Sequence, residues 1–174
     1  YITMGCAGDH VAQSYGFTRE QLDAYALASN QKAVEAIKAG RFKDEIVPIT
    51  TEVDGKTVVF DTDEGPRPDT SMEGLGALRP AFAASAKIGF HTAGNSSQTS
   101  DGAAAVVLMS EKALKASGAA PLARFRSFAV YADSPAMLGP AQLVAIPKAC
   151  ALAGLSVDDI DLFEINEAFA SVAL

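Results

Sequence analysis

The chain has 174 residues, 49% of them hydrophobic and 20% charged, with 14 Gly and 8 Pro, which is the composition of one ordinary globular domain or two small ones. A net charge of −7 argues against a phosphate backbone as partner, and Cys6 and Cys150 stand in no CxxC or Cys/His spacing that would suggest a disulfide framework or a metal site. No apolar run reaches membrane-span length, so neither nucleic acid nor a membrane is an expected partner, and a reducing compartment is the expected home.

Thr18-Arg19-Glu20-Gln21 has the spacing of a capping box. Leu22, Tyr25, Ala26, Ala33 and Ile37 then recur at helical spacing up to Gly40, which predicts a helix of about twenty residues. His10 falls on an earlier helix. Residues 45–53 and 56–61 are rich in Val, Ile and Thr and flank Asp54-Gly55, a hairpin-turn dipeptide; Pro48 marks the first strand as an edge. Thr70 and Glu73 repeat the capping-box spacing and predict a short helix ending near Leu78, before Pro80.

The rhythm then changes. Ala103 to Met109 is a continuous apolar run, as expected of a strand covered on both faces, and Ser110 caps a helix that Gly118 ends. Leu122 to Tyr131 reads as a strand, Gln142 to Ala153 as a helix containing Pro147 and closed by Gly154, Asp161 to Ile165 as a strand, and Glu167 onward as helix. Alternating strand and helix predicts an α/β fold with a mostly parallel sheet. The opening on Tyr1 and the close inside an apolar run suggest a piece of a longer protein.

Four stretches carry possible chemistry. Thr92 to Gln98 packs small and polar residues between the halves, suiting either close approach to a ligand or an ordinary turn. Asn166-Glu167 stands where a strand is expected to meet a helix; its amide either caps the helix or polarises a carbonyl. Arg67, between Pro66 and Pro68, is either a solvated charge or a guanidinium that stacks on a flat ring. Met4, Phe82, Phe90 and Phe169 suit an acyl tunnel or simply a core. His91 has no placed partner and reads as a loop or core residue; the two cysteines read as small buried thiols.

Together these stretches resemble the thiolase family end to end. The resemblance rests on Asn166-Glu167-Ala168-Phe169-Ala170, on Thr92-Ala93-Gly94-Asn95-Ser96-Ser97, and on Ser100-Asp101-Gly102-Ala103-Ala104-Ala105. Met4-Gly5, residues 42–48, Asp63 to Pro68 and Leu78 to Phe82 follow in the family's order. It implies a thiolase-like layered α/β fold: residues 1–90 would be the loop domain inserted in the N-terminal half, and residues 91–174 the start of the C-terminal thiolase domain.

It further implies that Asn166 holds a water in an oxyanion hole, Ser97 bonds the pantetheine arm of coenzyme A, and Arg67 stacks on its adenine. Met4, Phe82, Ala93, Ala168 and Phe169 would line the pantetheine and acyl path. The implied activity is acyl transfer between 3-ketoacyl-CoA and CoA through a cysteine acyl-enzyme, with coenzyme A as co-substrate and no bound cofactor. An acetoacetyl-CoA-forming acetyltransferase and a non-catalytic acyl-CoA or lipid binder are the alternatives. The family's nucleophilic cysteine falls upstream of this segment, and its catalytic histidine and second cysteine downstream, so the segment alone is expected to be inactive and prone to aggregate. The intact protein is expected to be a homodimer or homotetramer in the cytoplasm or an organelle matrix. Two departures from the family pattern bear on substrate preference: Leu138 to Gln142 lacks a second Gly-Pro, and His91 replaces a more usual small or β-branched residue.

Overall fold

A computed structural model describes residues 2–82, 89–137 and 140–174. The chain divides into two compact units, the first made of Tyr1–Gln98, Ser134–Gly139 and Ile165–Leu174, the second of Thr99–Asp133 and Pro140–Glu164.

The first unit is built on two helices. Helix α1 (Met4–Tyr15) starts where the Thr3 hydroxyl accepts the Cys6 N–H, and ends at Gly16, whose φ of 72° gives the left-handed stop that glycine adopts without strain. Helix α2 (Arg19–Lys38) has the expected capping box, with Gln21 N–H donating to the Thr18 hydroxyl and Thr18 N–H to the Gln21 side chain. Ala12 of α1, Leu22 of α2 and Ala170 form a buried cluster, with Phe17, Tyr25 and Phe90 packed against it. Strands β1 (Ile49–Val53) and β2 (Lys56–Phe60) pair antiparallel, Ile49 opposite Phe60 and Val53 opposite Lys56. Asp54 and Gly55 turn the hairpin with φ of 51° and 73°, the two positive values a primed turn requires. The first strand begins at Ile49 rather than Glu45, because Pro48 has no N–H to give a ladder.

Helix α3 (Met72–Gly76) is capped by Ser71, whose hydroxyl accepts Gly74 N–H at 3.1 Å, and not by Thr70. The Thr70 hydroxyl donates instead to the Arg67 carbonyl at 2.9 Å, closing the preceding loop.

In the second unit, α4 (Glu111–Ser117) is capped by Ser110 and stopped by Gly118 at φ 66°, as expected. Helix α5 (Ala141–Leu152) runs through Pro147, and a 3-10 turn follows at Val157–Asp159. The expected strands at 103–109, 122–131 and 161–165 do not form: among the described residues the ladders are β1 with β2 and one isolated bridge. Val106 is 84% exposed and Leu122 fully so. An apolar run sets a strand's appetite for burial, but a strand exists only when a neighbour takes its N–H and C=O groups. Residues 126–130 instead lie against α5 through Ser127 Oγ donating to the Ala149 carbonyl at 2.7 Å and Lys148 Nζ to the Val130 carbonyl at 3.3 Å.

The last helix, α6 (Ala170–Ala173), starts three residues later than expected. Ser97 N–H donates to the Ala168 carbonyl at 3.0 Å and Ala170 N–H to the Asn95 carbonyl at 3.0 Å, so residues 168–170 are held extended against Ser96. Leu138 and Gly139, part of one departure from the family pattern, lie outside the described residues. No helix among the described residues is long and apolar enough to cross a membrane.

Candidate functional site

The turn at residues 92–95 is held by its own polar groups. Asn95 Oδ1 accepts Thr92 N–H at 2.8 Å, the Thr92 hydroxyl accepts Gly94 N–H at 3.2 Å, and Asn95 Nδ2 donates to Asp23 Oδ1 at 2.8 Å. Asp23 in turn accepts from Arg19 Nε at 2.8 Å, and the Arg19 guanidinium donates onward to the Leu75 carbonyl at 2.6 Å. Asn95 and Asp23 are 3% and 2% exposed, so each pays for its desolvation with partners on every side. Gly94 is needed sterically: a Cβ there would run into the side chains of Leu75 and Leu78.

The first unit holds two separate groups of sequence-predicted residues. In one, Arg67 and Ala93 line a cleft of about 350 Å³ with Asn30, Ser71, Ser96 and Gln98, a volume in the range of small-molecule sites. The Arg67 backbone N–H donates to Asn30 Oδ1 at 2.9 Å, while its guanidinium, 73% exposed, faces Asp69 at 3.4 Å. That guanidinium bond holds the Asp69 carboxyl below the usual carboxylate range. Ser97 is exposed, its backbone tied to Ala168.

The other group is Met4, Phe82 and Phe169. The rings of Phe82 and Phe169 meet edge to face at 5.9 Å, and Phe82 lies on Gly5, where a Cβ would collide with it. Phe169 is buried; Met4 is 59% exposed. Phe90 takes its place against the core cluster.

Asn166 is exposed and lies in irregular backbone, not at a strand-to-helix junction as expected. Its neighbour Glu167 is clamped to α2: Tyr25 Oη donates to Oε1 at 2.5 Å and Ser29 Oγ to Oε2 at 2.7 Å. Burial and this carboxylate push the Tyr25 phenol up to about 12. Asn166 thus stands immediately before a backbone stretch fixed by Glu167 and by the pairing of residues 168–170. Among the described residues its amide has no hydrogen-bond partner, which leaves both its donor and acceptor free for a ligand or a water.

His91 is a core residue, fully buried, with Nδ1 2.8 Å from Asp9 Oδ1. Cys6 and Cys150 are buried thiols. Residues missed in the sequence are Asp9, Arg19, Asp23, Tyr25 and Ser29, which tether the site. The available signal was an acid beside an apolar helix face: Asp23 adjoins Leu22 and stands four residues after Arg19.

The family models for the thiolase N-terminal domain and the thiolase C-terminal domain match residues 1–112 and 119–174. A 3-ketoacyl-CoA thiolase of Bacillus subtilis is 50% identical over 100% of this chain and 46% of its own length. Among solved structures, an acetyl-CoA acetyltransferase of Bacillus anthracis superposes with a TM-score of 0.89 at 42% identity, over 99% of this chain and 43% of that one. Human mitochondrial 3-ketoacyl-CoA thiolase superposes with a TM-score of 0.89 at 38% identity, over 99% and 42%. The matched family models and the solved neighbours agree on an α/β fold of the thiolase type. The chain belongs to the thiolase family, and it spans less than half the length of these relatives.

Proposed function

We propose that the protein containing this chain is an acetyl-CoA C-acyltransferase that cleaves 3-ketoacyl-CoA with CoA into acetyl-CoA and a shortened acyl-CoA, or runs the reverse condensation. A cysteine thiolate elsewhere in the protein attacks the 3-keto carbon, the bond between carbons 2 and 3 breaks, and the departing enolate takes a proton to become acetyl-CoA. CoA then attacks the acyl-cysteine thioester and releases the acyl-CoA. Within this chain, Asn166 steadies the carbonyl oxygen through its amide or a water it orients, at no cost in net charge. Ser97 bonds the pantetheine arm and Arg67 stacks on the adenine, while Met4, Phe82, Ala93, Ala168 and Phe169 line the path. Local contacts of this kind let an acidic chain bind an anionic co-substrate.

The observation that carries the proposal is the pairing of residues 95–97 with 168–170, which puts the Ser97 turn and the Asn166 segment on one short backbone ladder. The test is thiolysis of acetoacetyl-CoA by the full-length protein: CoA-dependent loss of the substrate supports it, and CoA binding without turnover would instead indicate a non-catalytic acyl-CoA binder. The Bacillus anthracis relative's name favours acetoacetyl-CoA synthesis as the second reading; a rate confined to the shortest substrate supports that one. The intact protein is proposed to act as a homodimer or homotetramer in the cytoplasm or an organelle matrix.

A further inference from the structure

The pair Asp9 and His91 has no part in the chemistry above, yet both side chains are 0% exposed. Asp9 Oδ1 accepts the backbone N–H of Phe90 at 3.2 Å and of His91 at 2.9 Å, and the His91 ring nitrogen Nδ1 stands 2.8 Å from the same oxygen. An oxygen already taking two N–H groups is the acceptor, so the bonding network assigns the ring hydrogen to Nδ1. Burial outweighs the carboxylate's pull and holds the imidazole below its ordinary value, which keeps it neutral.

Anchored at this end, the ring meets Phe169 edge to face, centroids 5.0 Å apart at 65°. Gly8 forms the floor beneath both: a Cβ there would lie 3.1 Å from the Phe169 ring and 3.4 Å from His91 Cε1. Phe169 is therefore confined by Gly8, by Phe82 and by His91, and the His91 ring is oriented by its hydrogen bond to Asp9.

We propose that His91, locked by Asp9, is a positioning residue that fixes the Phe169 ring and thereby sets the acyl-chain length the protein prefers among linear 3-ketoacyl-CoA substrates. The inference rests on the acyl-transfer reading, in which Phe169 borders the acyl path. A smaller or unanchored residue at position 91 gives the ring room to withdraw and lengthens that path. Long chains then gain relative to acetoacetyl-CoA.

The test is thiolysis by the full-length protein of acetoacetyl-CoA and 3-ketodecanoyl-CoA, with His91→Val, His91→Gln, Asp9→Asn, Phe169→Leu and the His91→Val/Phe169→Leu double variant. The long-to-short ratio of kcat/KM is expected to rise about fivefold in His91→Val and less in Asp9→Asn. The double variant is expected to exceed neither single, because His91 acts through Phe169. His91→Gln keeps a donor for Asp9 but removes the ring, and shifts the ratio the same way even if the smaller variant folds poorly. A constant ratio, with any lost activity shared equally between the substrates, overturns the inference alone. An unmodified protein that cleaves neither substrate overturns the acyl-transfer reading, and this inference with it.

Discussion

Residues 92–97 and residues 103–109 are near neighbours in sequence and behave in opposite ways. The first segment is polar, yet Thr92 and Asn95 are buried; the second is almost wholly apolar, yet Val107 and Leu108 are 80% and 81% exposed. Hydropathy alone predicts the reverse. The difference lies in partners: every polar atom named in the first turn meets a donor or acceptor from α2 or from its own backbone, whereas the apolar run has no strand beside it to pair with. Burial follows completed bonding as much as it follows polarity.

Hydrogen exchange offers the broadest test of that contrast. In the soluble fraction of the 174-residue chain, amides of 103–109 should exchange at the rate of an open chain, while those of α2 and of Thr92 are protected by about four orders of magnitude for a stability near 5 kcal/mol. Equal protection of both segments would break the comparison. The next effect concerns the tether itself. Asp23→Ala leaves Asn95 Nδ2 and the Arg19 guanidinium without their shared partner, and should cost about 3 kcal/mol in denaturant unfolding of the intact protein. A cost within error of zero would mean that the turn holds itself.

Smaller effects sharpen the picture. Tyr25→Phe removes one of the two bonds on Glu167 and should lower kcat several-fold through the Asn166 segment, a cost of about 1 kcal/mol, with KM for CoA little changed. Smaller still is a pH effect. The imidazole of His91 is held below its ordinary 6.5 in the folded protein, so the unfolded chain takes up that proton first. Stability should therefore fall as pH drops below about 6.5 toward the lowered folded value, and His91→Gln should flatten that slope in thermal melts. An unchanged slope in the variant would place the titration elsewhere.

Much of this was legible in the sequence where a signal is local. The capping box at Thr18 and Gln21, the Asp54-Gly55 turn and the caps at Ser110 and Gly118 depend on residues three or four apart, and the structure has each of them. The motifs at 92–97 and 166–170 were legible as a family resemblance, though not their pairing with each other. What sequence could not supply were choices made at long range. Thr70 and Ser71 are equally good caps, and the carbonyl of Arg67 decided between them. Asp9 and Asp23 look like surface acids until α1 and α2 turn them toward residues 90–95. Glu167 looks like the first turn of a helix until Tyr25 and Ser29 take its carboxylate.

The role of Asn166 is the claim on which the mechanism turns, and one kinetic comparison tests it. In the full-length protein, Asn166→Ala should lower kcat for thiolysis about 100-fold while KM for CoA moves about twofold or less, as for a lost oxyanion contact. A rate equal to that of the unmodified protein, or a loss shared equally between kcat and CoA affinity, would contradict it.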